Sequence, residues 1–79
     1  MAFYILIIKS AEDSSKAIYK FGPNEECLGS LSIDKVTGEV EQIDPVPVER
    51  PEGFFVRAST KLRKHLANGQ LPDRTSWES

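Results

Sequence analysis

Apolar and polar positions alternate along the first half of the chain with the period of two that is typical of β-strands. The segments carrying this pattern predict four strands, at about residues 2–9, 16–21, 27–33 and 39–44. The first is apolar at every position from 3 to 8, which favours a strand that is central in its sheet or covered on both faces. In the third, Leu31 and Ile33 share one face.

The segment between the third and fourth strands has the clearest turn signal in the chain. Asp34 can accept backbone hydrogen bonds across the turn, and Gly38 can supply the left-handed residue of a bulged hairpin loop. Glu39 and Glu41 follow in the fourth strand, and charged side chains are typical of an edge strand. The pattern therefore predicts a β-meander whose fourth strand lies at an edge.

The period changes from two to helical after a connection with three prolines between residues 44 and 53. One apolar stripe predicts a helix over about residues 54–68, formed by Phe55, Ala58, Leu62 and Leu66. Gly69 follows at the position expected for a C′ glycine. The start is open, since Ser59 could be the N-cap if residues 54–56 are extended.

Residues 69–79 are predicted to form a tail in which Leu71 and Trp77 fold back onto the sheet or helix. The expected fold is therefore α+β: a four-stranded antiparallel β-meander with one C-terminal α-helix packed on one face and a short C-terminal tail. The 79 residues suffice for one hydrophobic core, so we expect a single domain over residues 1–79. The apolar start is too short for a membrane span and lacks the features of a signal peptide, which predicts a cytoplasmic protein.

Candidate catalytic and metal-binding residues are few. Cys27 and His65 are the single cysteine and histidine, and neither has the spacing of a metal site or a disulfide. His65 lies beside the apolar stripe, which favours a boundary residue over a general base. We therefore expect no metal, no cofactor and no enzymatic activity.

Charge is distributed unevenly, although the net charge is only −2. Residues 1–52 carry ten acidic and five basic side chains, whereas residues 53–79 carry two acidic and five basic ones. The acidic loops and the fourth strand contain the candidate protein-binding residues, which are Glu12, Asp13, Glu25, Glu26, Glu39 and Glu41. A basic stripe on the helix, Arg57, Lys61 and Lys64, is the alternative, a nucleic-acid site. The sequence pI of about 5.3 weighs against that alternative.

Several short elements resemble the small bacterial immunity-type proteins encoded beside polymorphic or contact-dependent toxins. They are an apolar first strand, Tyr19-Lys20-Phe21-Gly22, Leu28-Gly29-Ser30-Leu31, Thr37-Gly38-Glu39, a basic helix, and Leu71-Pro72 with Trp77. The resemblance implies a protein that masks the active surface of a toxin domain, and toxin nucleases are commonly basic around their substrate site.

The sequence thus favours a non-enzymatic protein-binding module with a protein partner and no membrane association. A small homodimeric structural protein is a further alternative. In that arrangement the second face of the first strand would be buried between subunits, with Tyr4, Leu6 and Ile8 at the interface.

Overall fold

The computed structural model of the protein describes residues 4–78, which form five strands and one helix. These are β1 (Tyr4–Glu12), β2 (Lys16–Gly22), β3 (Gly29–Asp34), β4 (Val40–Asp44), α1 (Glu52–Ala67) and β5 (Arg74–Glu78). The strands form one antiparallel sheet in the order β4-β3-β2-β1-β5. The α+β class, the meander of the first four strands and the edge position of β4 are therefore confirmed. Residues 2 and 3 of the predicted first strand lie outside the described residues.

The prediction of four strands is one too few, because part of the expected tail forms a fifth strand, β5. This strand pairs with the outer edge of β1, with Trp77 opposite Ile5 and Thr75 opposite Ile7. An unpaired strand that is apolar on both faces leaves a row of backbone donors and acceptors open, and β5 satisfies them. The pairing makes β1 an interior strand, and Trp77 packs against the core, as does Leu71.

Two predicted boundaries are also corrected by local hydrogen bonds. The third strand begins at Gly29 because the Asn24 side chain accepts bonds from the backbone of Glu26 and Cys27, which holds that segment in a turn. The helix begins at Glu52, directly after Pro51. Ser59 lies inside it, where its hydroxyl donates to the Phe55 carbonyl oxygen at 2.7 Å, so it is not the N-cap.

The core lies between the sheet and α1. Its fully or almost fully buried side chains are Ile5, Ile7, Ala17, Tyr19, Phe21, Leu31, Ile33, Val46, Ala58 and Leu62. Phe55 and Leu66 pack against this cluster with part of their surface exposed. The predicted stripe is therefore the buried face of the helix. Within residues 4–78, no helix has the length and apolar character needed to cross a membrane.

Candidate functional site

One face of the sheet is covered by α1. No helix or second sheet of the described residues packs on the other face. Strand register assigns the side chains of this second face, because residues opposite each other in neighbouring strands share a face. We call it the open face; it comprises Tyr4, Leu6, Ile8 and Ala11 of β1, Lys16, Ile18 and Lys20 of β2, Ser30, Ser32 and Asp34 of β3, Glu41, Ile43 and Asp44 of β4, and Arg74, Ser76 and Glu78 of β5.

The open face exposes large apolar side chains. Ile43 and Tyr4 are 52% and 46% exposed, and Ile8 and Ile18 are partly exposed. Leu6 is only 5% exposed, so it is already covered within one chain and offers little surface to a partner. A second copy that docks on this face of β1 would thus bury less apolar surface than the sequence indicates. The homodimer through β1 stays a prediction.

Ile43 lies on this face because it is two residues from Glu41 along β4, and alternate residues of a strand share a face. The register between β3 and β4 shifts between Ser30 and Leu31, so β4 contributes one extra residue to the pairing. A shallow depression of about 340 Å³ beside Ile43 is lined by side chains from β1, β2 and β3: Ala11, Glu12, Asp13, Lys16, Ile18 and Ser32. The exposed apolar side chain of Ile43 thus lies beside a shallow recess.

Carboxylates surround the end of the open face nearest the β1–β2 and β3–β4 turns. We call them the acidic rim: Asp13, Asp34, Glu39 and Glu41. Lys16 is the one basic side chain lining both depressions at this end, so the rim has an excess of negative charge. The combination of exposed Ile43 and Ile18 with this rim suits a partner surface that is basic around an apolar centre.

The two acidic residues predicted in the β1–β2 turn also hold the turn together. Glu12 forms ion pairs with Lys35 and Lys9, and the side-chain bond from Lys35 is the main reason that the pKa of Glu12 is lowered. Asp13 accepts bonds from the backbone N–H groups of Lys16 and Ser15, both at 2.8 Å, which lowers its pKa. Glu12 therefore supplies little net charge to a partner.

The other predicted acidic residues fall into two separate groups. Glu39 and Glu41 belong to the acidic rim, whereas Glu25 and Glu26 lie in the β2–β3 loop at the opposite end of the sheet. Glu25 is 3.8 Å from Arg74 of β5, a contact that crosses β1. The six residues therefore do not form one surface. Sequence reasoning did not single out Ile18 and Ile43 as binding residues: strand alternation puts them on the faces of Lys16 and Glu41, but it does not indicate that these positions form one uncovered surface.

The basic residues of the alternative site lie along α1. His65 Nε2 is 3.2 Å from Thr75 Oγ1, which shows that this flank of the helix faces β5, and Lys61 lies one turn before His65 on the same flank. Arg57 donates to the Gly53 carbonyl oxygen at 3.2 Å, and Lys64 is exposed. Nucleic-acid binding through this flank stays a prediction.

A larger groove of about 700 Å³ separates the β3–β4 turn from the end of α1. Its cations have structural partners: Arg63 Nε donates to the Gly38 carbonyl oxygen at 3.2 Å, and Lys35 bonds to Glu12 and to the Asp13 carbonyl oxygen. They fix the turn against the helix and the neighbouring hairpin. Across residues 4–78, no three His, Cys, Asp or Glu side chains converge as metal ligands would.

Comparison of the chain with protein-family models, with curated proteins and with solved structures finds no match in any of the three.

Proposed function

We propose that this protein is a non-enzymatic protein-binding module and that it binds its partner through the open face. The observation that carries the proposal is the half-exposed Ile43 on a bulged edge strand, next to carboxylates of the acidic rim. An exposed apolar centre bordered by charge is the arrangement found in protein interfaces, where apolar contact supplies affinity and the charged rim supplies specificity.

The chemistry of the rim selects the partner. Asp34, Glu39 and Glu41 attract a basic surface, and Ile18 with Ile43 requires an apolar patch within that surface. The resemblance to immunity-type proteins supports the same choice, because it implies a toxin domain with a basic substrate site. We therefore propose a partner whose basic surface is masked when the open face covers it.

A capture experiment with two matched substitutions tests this proposal. Ile43 and Val56 are 52% and 59% exposed, but Ile43 lies on the open face and Val56 on α1. Ile43→Lys adds a positive charge inside the proposed interface, and Val56→Lys adds the same charge outside it. The immobilised wild-type protein and both variants are incubated with lysate of the source cells, and retained proteins are quantified.

The expected result is one protein retained stoichiometrically by the wild type and by Val56→Lys, and lost with Ile43→Lys. Glu41→Lys should reduce its retention too, and added salt should weaken the wild-type complex because the rim acts electrostatically. Equal retention by Ile43→Lys and the wild type, or loss with Val56→Lys alone, would refute the open face as the binding surface. Absence of any stoichiometric protein would count against the module itself.

A further inference from the structure

The two edges of the sheet differ in how well they are protected against pairing with another strand. Edge strand β4 contains a bulge, carries carboxylates and runs directly into Pro45, all of which discourage further pairing. Edge strand β5 pairs with β1 in an unbroken register and contains neither proline nor glycine. Of the two, β5 is the edge on which an additional strand can form.

The backbone of β5 shows which of its groups point outward. The Lys9 N–H donates to the Asp73 carbonyl oxygen at 2.8 Å, so position 73 directs its backbone groups toward β1. Because this direction alternates along an antiparallel strand, Thr75 and Trp77 also face β1. The N–H and C=O groups of Arg74, Ser76 and Glu78 therefore point away from the sheet.

We propose that a second copy of this chain adds to this edge, with the two β5 strands antiparallel about a two-fold axis at Ser76. In this register the outward groups of Ser76 meet those of Ser76 in the second copy, and Arg74 stands opposite Glu78 of the second copy. The outward backbone groups can then form up to about six hydrogen bonds between the chains. This interface is formed by the β5 edge and does not require the proposed function, although the side chains of Arg74 and Glu78 also lie on the open face.

Side-chain chemistry favours this register over its neighbours. Arg74 and Glu78 are both exposed, and the exposed Arg74–Glu25 contact is long and weak, so Arg74 can pair with a carboxylate of the second copy. The two-fold axis produces two such Arg–Glu pairs. A shift by one residue would place outward groups against inward ones, and a shift by two would lose the Arg74–Glu78 pairs.

The other face of β5 contributes an apolar contact that favours the dimer and a charge repulsion that opposes it. Thr75 stands opposite Trp77 of the second copy, a β-branched and aromatic pair of the kind that stabilises sheets. Lys61 lies on the helix flank that faces β5, and its counterpart would approach across the axis. This repulsion opposes association, and salt screens it.

Charge-swap variants test the register. Arg74→Glu and Glu78→Arg each place like charges opposite one another twice in a homodimer, so each variant alone should dimerise roughly tenfold or more weakly than the wild type. An equimolar mixture of the two variants should restore association as a heterodimer, because every opposing pair is then opposite in sign. The double variant should dimerise with itself. Sedimentation equilibrium across a concentration series measures each case, and circular dichroism confirms the fold.

A proline substitution provides a second, independent check. Ser76→Pro removes an outward N–H and should abolish the dimer while leaving the β1–β5 bonds in place. Trp77 is the single tryptophan, so its fluorescence should change with concentration in the wild type and not in Ser76→Pro. A wild-type monomer at every concentration, or a dimer that survives both Ser76→Pro and the single charge swaps, would overturn the proposal. Neither result bears on the Ile43→Lys capture experiment.

Discussion

The Tyr19 hydroxyl donates a 2.6 Å hydrogen bond to the carbonyl oxygen of Pro72, which connects the middle of the sheet to the segment between α1 and β5. Tyr19 is fully buried, and this burial raises the pKa of its hydroxyl. Beside it, Lys9 Nζ donates to the Leu71 carbonyl oxygen at 3.1 Å and lies 3.4 Å from Asp73. Two side chains of the sheet thus hold the segment that leads into β5.

Tyr19→Phe should lower the free energy of unfolding by about 1–3 kcal/mol, because it leaves the Pro72 carbonyl oxygen without this donor. The phenyl ring keeps nearly the same shape, so the loss reports mainly on the hydrogen bond. Urea denaturation measures it. Tyr4→Phe removes a hydroxyl from a half-exposed ring and should change stability by less than about 0.5 kcal/mol. Equal effects would show that the Pro72 bond contributes nothing.

Local chemistry was enough to predict the β3–β4 hairpin and the buried face of the helix. Asp34 Oδ1 accepts from the backbone of Val36 and Thr37, and Gly38 has a φ of 78°, so the turn depends on residues adjacent in sequence. Leu62 is fully buried because the 3.6-residue period places it at the centre of the stripe. These features can be predicted without knowing which residues distant in sequence they contact.

Strand β5 and the open face could not be predicted in this way. Residues 74–78 have only Trp77 as a large apolar side chain, and they become a strand because β1 offers an edge about 70 residues earlier. Strand alternation places Ile43 on the same face as Glu41, but only the tertiary structure shows that no helix or strand of the described chain covers that face. Of the predicted acidic residues, Asp13, Glu39 and Glu41 do meet on the acidic rim; Glu39 directly precedes β4 and Glu41 lies within it.

Leu62→Ala should destabilise the protein by about 2–5 kcal/mol, because it leaves a cavity between α1 and the sheet at a fully buried position. Lys64→Ala, two residues along on the exposed side, should change stability by less than about 0.5 kcal/mol. Chemical denaturation of both variants measures the difference. The reverse ranking would mean that the opposite side of the helix faces the core.

Stability should fall in acid because two turn aspartates are stabilised in their charged form. Backbone N–H groups of Lys16 and Ser15 lower the pKa of Asp13, and those of Thr37 and Val36 lower the pKa of Asp34. In the unfolded chain the aspartate pKa is about 3.9. The unfolded chain therefore binds more protons than the folded protein at mildly acidic pH. The contribution is present above that value and is lost as the pH falls through the folded pKa values.

Asp13→Asn and Asp34→Asn should reduce this acid sensitivity, because an amide oxygen still accepts the backbone bonds but does not titrate. At neutral pH the same variants should be slightly less stable than the wild type, since bonds to a charged acceptor are stronger. Glu26→Gln, an exposed change in the β2–β3 loop, is the control. Unfolding midpoints measured from neutral pH to about pH 3 should converge for wild type and variants. If the unfolding midpoints of wild type and variants ran parallel at every pH, the acid sensitivity would not come from Asp13 and Asp34.

Gly22→Ala should destabilise the β2–β3 connection, because the backbone of Cys27 closes directly over Gly22. An added Cβ would lie 1.9 Å from the Cys27 carbonyl oxygen and 3.0 Å from its carbonyl carbon. These are backbone atoms, so relief requires the whole loop to move, and a loss of about 1–3 kcal/mol in the free energy of unfolding is expected. Lys20→Ala, on the exposed side of the same strand, should cost less than about 0.5 kcal/mol.

Gly22→Ala should also displace Glu25, which lies in the β2–β3 loop and reaches across β1 to Arg74. Glu25→Ala removes this exposed contact without moving the backbone, so it separates the two effects and should cost less than about 1 kcal/mol. Urea denaturation ranks Gly22→Ala, Lys20→Ala and Glu25→Ala, and the NMR chemical shifts of the backbone amides of residues 24–28 report the loop movement. If Gly22→Ala is as stable as Lys20→Ala and leaves those shifts unchanged, then the loop does not close over Gly22.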